Sequence, residues 1–316
     1  MVSRSSLAAR FEALPQTVSW GVGLAFATAV ISGLAIYLNS FAVKQVPDPA
    51  VFTTLKNAVA AGLLVGLAAR AGGGTAARAL RPRQWGGLLI LGVIGGSIPF
   101  LLFFTGLAQA SAPSAAFIHK TLFIWVALLA IPFLGERLGW PQIAAFAVLL
   151  VGQAIIVPPT GIVWGTGETM IAAATLLWSI EVVIAKRLLS GGVPPSVAGA
   201  ARLGFGLIVL FGFLAATGKL GAIGTLGLTG WAWVLLTGGL LFGYVATWYA
   251  ALQRAPANIV TSVLVVGAVI TAAFAAISKG ALPDGGPLGG YLLIVVGVAV
   301  IAWMARRVRE VAAQTA

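Results

Sequence analysis

The chain alternates between apolar runs of about 20 residues and short breaks rich in Pro, Gly and charge. A helix crossing roughly 30 Å of hydrocarbon at about 1.5 Å per residue needs a run of that length. Ten stretches qualify, at 18–43, 49–69, 85–107, 112–133, 140–157, 164–187, 195–216, 230–252, 256–277 and 287–305. The breaks include Pro47-Asp48-Pro49, Ala71-Gly72-Gly73-Gly74, Pro158-Pro159, Gly191-Gly192 and Pro283-Asp284-Gly285-Gly286. Strand-type alternation is missing, so a β-barrel is rejected. The pattern predicts an all-α membrane protein of ten transmembrane helices.

Composition agrees with this. Of 316 residues, 60% are apolar and 8% charged, with a mean hydropathy of +1.05. A soluble domain carries about 25% charged residues. The sequence therefore excludes a soluble enzyme, a disordered chain and a nucleic-acid partner. The net charge of +12 reads instead as the cationic bias of cytoplasmic loops. With the N-terminus inside, 13 basic residues fall inside and only Lys44, Lys219 and Lys279 outside. Both termini are thus expected in the cytoplasm, for a multi-pass protein of the inner (plasma) membrane. Residues 1–17 read as a short cytosolic lead without a cleavage pattern, and 306–316 as a basic cytosolic tail. There is no cysteine and one histidine, and the seven acidic residues are scattered. No metal centre and no cofactor is expected.

The chain matches itself at an offset of about 145. At 146, Pro49 falls on Pro195, Lys56 on Arg202, Trp85 on Trp231 and Gly92 on Gly238. At 145, Phe103-Phe104 fall on Trp248-Tyr249, Leu107 on Leu252, Ala110 on Ala255 and Gly152 on Gly297. Trp20 falls on Trp164 at 144, and Asn39 on Glu181 at 142. Each unit, 18–157 and 163–305, holds five spans. Five is odd, so the second unit enters from the opposite side. Such an inverted repeat is the architecture of secondary carriers, with the site between the halves.

Three stretches carry a family resemblance: Val46–Leu63, Ala115–Leu138 with its Gly135-Glu136-Arg137, and Pro141–Val157. They resemble the EamA-type units of the drug/metabolite transporter superfamily. The second half repeats them more weakly, with Arg202 for Lys56 and Ala251–Thr261 at the start of its fourth helix. It departs at Gly280-Ala281, where alanine stands for Glu136. The resemblance implies a ten-helix metabolite carrier, often an exporter, with a central cavity lined by spans one, three, four, six, eight and nine.

Ionisable side chains at mid-membrane cost about 2.5–3.5 kcal/mol on insertion scales, so each needs a partner, a wet cavity or a function. Lys56, His119, Lys120, Glu181 and Arg202 lie well inside spans. Glu181 and Arg202 have matching depths and read as an ion pair or a coupling element, and Lys56, in the outer part of span two, reads as a related cation whose long stem snorkels toward water in a packing role, with substrate contact as the alternative. Lys120 is the better of the His119-Lys120 pair for a substrate anion, since it carries a full charge and three donors. Tyr37, Trp125, Trp178, Tyr244 and Trp248 are candidate walls of a mixed-polarity pocket, and Asn39 is a further polar candidate. Pro99 and Pro132 are expected to bend spans three and four. Gly92/Gly96 and Gly239/Gly243 have the spacing of close helix contacts.

The sequence reads as a secondary-active transporter, an exporter of a small metabolite such as an amino acid or organic anion, working by alternating access and not an enzyme. Its partners would be a small-molecule substrate, the lipid bilayer and, as a coupling ion, protons. A channel or lipid scramblase is the alternative. An intramembrane enzyme is disfavoured by the lack of HExxH, paired aspartates or a cysteine nucleophile.

Overall fold

A computed structural model describes the backbone of residues 4–158, 163–278, 280 and 285–314, and the side chains of 18–158, 163–278, 280 and 286–304. The side chains of the N-terminal lead and basic tail, together with Lys279 and Ala281, lie outside the described residues. The first half comprises α1 (Arg4–Ala42), α2 (Pro49–Arg70), α3 (Gly73–Arg78), α4 (Pro82–Gly96), α5 (Ile98–Leu107), α6 (Ala112–Lys120), α7 (Leu122–Leu134) and α8 (Trp140–Ile156). The second comprises α9 (Thr166–Ser190), α10 (Pro195–Ala216), a short 3-10 turn (Leu220–Thr225), α11 (Leu228–Arg254), α12 (Ala257–Val263), α13 (Val266–Ser278) and α14 (Gly285–Gln314). Among the described residues, nine helical spans are long and apolar enough to cross a membrane. The stretch expected as span five is α8, an apolar helix of 17 residues.

Local sequence sets the helix ends. Proline stands in the first turn of α2, α4, α5, α6, α8 and α10, where its missing N–H costs nothing. Asp48 caps α2 by accepting from the Ala50 and Val51 N–H groups at 2.7 and 3.3 Å, and it pairs with Lys219 at 2.7 Å. Burial opposes ionisation of this carboxyl, but Lys219 and the capped N–H groups outweigh it and hold its pKa below the ordinary value. Gly135, at φ +69°, ends α7 in the left-handed region, which glycine enters without strain.

Three spans are broken in mid-course. Span three breaks at Ser97, two residues before Pro99. Span four tightens at Thr121, where backbone bonds run Thr121→Ile118 and Ile124→Thr121. Span nine does the same at Leu264–Val265, the position 144 residues further on. The bend expected at Pro132 is displaced: α7 continues through that proline, and the span turns at Thr121 instead.

The halves interlock by exchange. α1 packs on α11 and on α12–α13, while α9 packs on α4–α5 and on α6–α7. α2 packs on α11 as α10 packs on α4, and the pairs α2·α10 and α8·α14 lie on the exchange axis. Lipid tails provide no hydrophobic force between helices, so close contact rests on small residues. A Cβ on Gly92 would strike Phe205, and one on Gly238 would strike Val59; the two contacts are related by the 146-residue offset. Gly21 meets Arg254 and Ala255 where Gly167 meets Gln109 and Ala110. Gly152 meets Gly290 and Ile294 where Gly297 meets Ala145 and Leu149. The Gly239/Gly243 spacing is used less, since nothing stands over Gly239. Large apolar side chains such as Leu63, Leu128, Ile208 and Leu292 face outward, as a lipid-bathed surface requires.

The tightest seam is at Gly96, where a Cβ would overlap the backbone carbonyl of Arg202. Backbone on both sides leaves little room to relax. Gly96→Ala is expected to cost about 1–3 kcal/mol, whereas Gly62→Ala, with nothing within 4 Å, should be neutral or better. Unfolding of the two variants in detergent, measured against the native chain, checks the contrast.

Candidate functional site

The broken third span generates the site. Proline at 99 has no N–H for the carbonyl four residues back, which is Gly95. That freed carbonyl accepts two bonds from the other half, from Trp178 Nε1 and Arg202 Nε, both at 3.1 Å. Gly95 has no side chain to hold them off, and the Glu181 Cγ packs where its Cβ would be. Ser97 closes the break by donating to the Val93 carbonyl at 2.8 Å.

Glu181 and Arg202 meet here, with Oε2 and Nη2 3.7 Å apart and both side chains buried. Tyr249 donates its hydroxyl to Glu181 Oε1. Arg202 also lies over the Phe100 and Tyr249 rings, at 5.5 and 5.9 Å. Its Nη1 has no hydrogen-bond partner among the described residues. A buried pair of this kind adds little net stability, but loss of one member strands the other charge.

These groups border a cavity of about 70 Å³ between the halves. The cavity reaches from Glu181, Arg202 and Trp248 to Asn39, one turn from the C-terminal end of α1. Its walls are Phe100, Phe103 and Phe104 on one side and the stacked Tyr244–Trp248 pair on another. His119 lines it, its ring 5.1 Å from Trp178 and 5.4 Å from Phe103, and its Nδ1 has no partner among the described residues. Lys56 lines it with its ammonium over the Phe104 ring at 3.8 Å.

Of the residues singled out from sequence, Asn39, Lys56, His119, Trp178, Glu181, Arg202, Tyr244 and Trp248 thus converge on one cavity. Three stand apart. Lys120 is buried and donates to Ser32 Oγ at 2.6 Å, with Ser32 between it and the cavity wall. Tyr37 packs on Phe41 and Phe274. Trp125 faces outward, 41% exposed. Spans two and seven, omitted from the expected lining, enter through Lys56 and Arg202, while α12 and α13 contribute no lining residue among those described. Sequence reasoning also missed the Gly95 carbonyl, although a proline four residues downstream was the signal for it.

One end of the bundle is tied together, where α7, α9 and α11 finish and α12 begins. Within the second half, Lys186 donates to the Leu252 and Ala255 carbonyls at 2.7 and 2.9 Å; the next two ties cross between the halves. Arg187 donates to the Phe133 carbonyl at 2.6 and 2.9 Å. Glu136 accepts from the Ala257 and Asn258 N–H groups at 2.7 and 3.0 Å, capping α12, whose own N-cap is Pro256. At the opposite end, α6 is capped by its own Ser111, and no side chain among those described ties α1 to α5.

Two interlocked helical repeats around a mainly apolar cavity with a few buried charged groups are the arrangement of a membrane transporter of small molecules. The profile of the EamA-like transporter family matches residues 19–157 and again 165–303, and the chain belongs to that family. No curated protein matches the sequence. One solved structure, described only as the crystal structure of a protein, is similar at 21% identity and a TM-score of 0.71, covering 91% of this chain and 97% of the other. That likeness shows the fold.

Glu181→Gln is expected to destabilise by about 3–5 kcal/mol, because it leaves Arg202 buried without its carboxylate. Tyr249→Phe, which removes a hydrogen bond to a charge, should cost about 1.5–3 kcal/mol. Thermal unfolding of the solubilised protein measures both, and a Glu181→Gln variant as stable as the native chain would leave the pair without a structural role.

Proposed function

We propose that this protein is a secondary-active carrier that exports a small organic anion or amino acid by alternating access. The observation that carries the reading is the cavity between exchanged halves, crossed at one end by the Arg187 and Glu136 bonds and at the other by the partly exposed Asp48–Lys219 pair. A continuous pore would suit a channel, whereas a blind cavity with a breakable seal suits a carrier. In this reading ten helices cross the inner membrane as units 18–157 and 163–305, with α8 as a short fifth span and both termini cytoplasmic. The tied end then faces the cytoplasm and the cavity faces out.

The positive bias of the cavity supports an anionic substrate. Arg202 is offset by Glu181, and Lys56 and the nearby Lys120 have no carboxylate of their own. Glu181 is the candidate proton site. Protonation would release Arg202 from its pair and weaken the seam at Gly95, linking charge state to helix packing.

Purified protein in liposomes should show saturable counterflow when loaded with amino acids or small carboxylates. Flux that rises linearly with concentration and ignores the opposite face would make it a channel. The latch gives a second test. Since the chain has no cysteine, Asn39→Cys provides a single reporter on the cavity lining, near the end of α1. Adding Glu136→Ala, which uncaps α12, should cut its labelling by an impermeant maleimide from outside severalfold. Unchanged labelling would remove Glu136 from the gate.

A further inference from the structure

The two intramembrane cations related by the repeat are not equivalent. Arg202 has partners within the protein: Glu181, whose other oxygen accepts from Tyr249, and the Gly95 carbonyl, with Nη1 alone left over. Each of these partners has a counterpart in the first half, found by the offsets that the packing itself fixes. The offset of 146 that carries Gly21 onto Gly167 carries Ala35 onto Glu181. The same offset relates Gly95 to Leu241, and 145 relates Phe104 to Tyr249. The Leu241 carbonyl is not freed as that of Gly95 is, because valine and not proline stands four residues on in the unbroken α11. Alanine replaces the carboxylate, and phenylalanine lacks the hydroxyl.

Lys56 is nevertheless 1% exposed. Its ammonium meets only ring faces, those of Phe104, Phe100 and Phe52 at 3.8, 5.0 and 6.0 Å. Among the described residues it has no hydrogen-bond acceptor and no carboxylate partner. Ring faces attract a cation, but they do not replace three hydrogen bonds. Ala35 and Leu241 border the same cavity as Lys56, so the place of the missing acid opens onto the cavity that holds the unpaired charge.

We infer that Lys56 is the anion-binding group of the cavity, and that the carboxylate of a small organic monoanion takes the place that Glu181 occupies in the other half. The inference rests on the carrier reading only for its consequence, transport; binding stands on the geometry. A monoanion is specified for two reasons. A single ammonium faces the gap, and Glu181 across the cavity repels a second negative charge.

The test uses the full chain in detergent, with acetate, hexanoate and benzoate as probes and phosphate as the dianionic comparison, at matched ionic strength. A bound anion raises the unfolding midpoint by mass action. A monocarboxylate should raise that of the native chain and of Lys56→Arg by a few degrees. Lys56→Met, which keeps an unbranched stem and drops the charge, should weaken binding by on the order of tenfold or more. Ala35→Glu should restore the missing internal acid. It should raise the midpoint without ligand and abolish the carboxylate response, and it remains informative if Lys56→Met does not fold. A carboxylate response retained in both variants, a response to phosphate alone, or no response in the native chain would each overturn the assignment. Counterflow in liposomes separates the two readings. Transport surviving in Lys56→Met keeps the carrier and removes Lys56 from it. Carboxylate binding with no flux of any solute keeps Lys56 and removes the carrier.

Discussion

The carbonyl of Gly95 is the constraint on which the centre of this molecule depends. In an unbroken helix it would be consumed by the N–H of residue 99. Proline removes that donor, and the oxygen becomes an acceptor in a region where water is scarce and an unsatisfied carbonyl costs several kcal/mol. Trp178 and Arg202 supply the missing donors from α9 and α10. The same glycine pair that exposes the carbonyl lets α10 approach until the Arg202 backbone covers Gly96. Packing and electrostatics are thus solved together: the helix that must come close carries the cation that the carbonyl requires, and Glu181 neutralises that cation.

The two-fold exchange shows where the halves have diverged. Apolar contacts at Gly21, Gly92 and Gly152 have counterparts at Gly167, Gly238 and Gly297, because backbone proximity leaves no alternative to glycine. Polar groups have no such restraint and differ almost everywhere. Arg202 has an acid and Lys56 has alanine. α6 caps itself through Ser111 while α12 borrows Glu136 from the other half. The architecture is held by the shared contacts, and the chemistry sits in the differences.

Much of this was legible in the sequence, for identifiable reasons. Spans announce themselves because the bilayer fixes their length and their composition. The repeat was readable because Trp, Pro and an intramembrane cation are rare enough for one offset to stand out. Eight candidate side chains converge on the cavity because a charge or amide in a span has few other places to go. The failures have causes too. Trp125 and Tyr37 stand apart because a sequence does not show which way α7 and α1 face, and aromatic rings serve lipid-facing and packing positions equally well. Asn39 was matched to Glu181 at 142, whereas the packing of Gly21 and Gly167 fixes 146 and brings Ala35 to that place. A one-turn slip of this kind keeps a helix face, so polarity alone does not detect it. Backbone groups such as the Gly95 carbonyl escape any search that lists side chains.

The tied end bears on how such a molecule could cycle. Hydrogen bonds to charged groups contribute about 1.5–3 kcal/mol each, and every 1.4 kcal/mol is tenfold in an equilibrium. Arg187 and Glu136, whose bonds cross between the halves, would hold the proposed carrier overwhelmingly in one state if nothing opposed them. The other end has the Lys219–Asp48 pair across the halves but no counterpart of the Glu136 and Arg187 bonds among the described residues, so its own side chains supply only part of the balance. In the proposed cycle the compensation comes from the cavity. A substrate that satisfies Lys56 in one state, or a proton that separates Glu181 from Arg202, changes the energy of the centre by a comparable amount. A ligand shifts a two-state equilibrium only by its differential affinity. The unpaired polar atoms around the cavity, the Lys56 ammonium and Arg202 Nη1 foremost, are where that difference can be made.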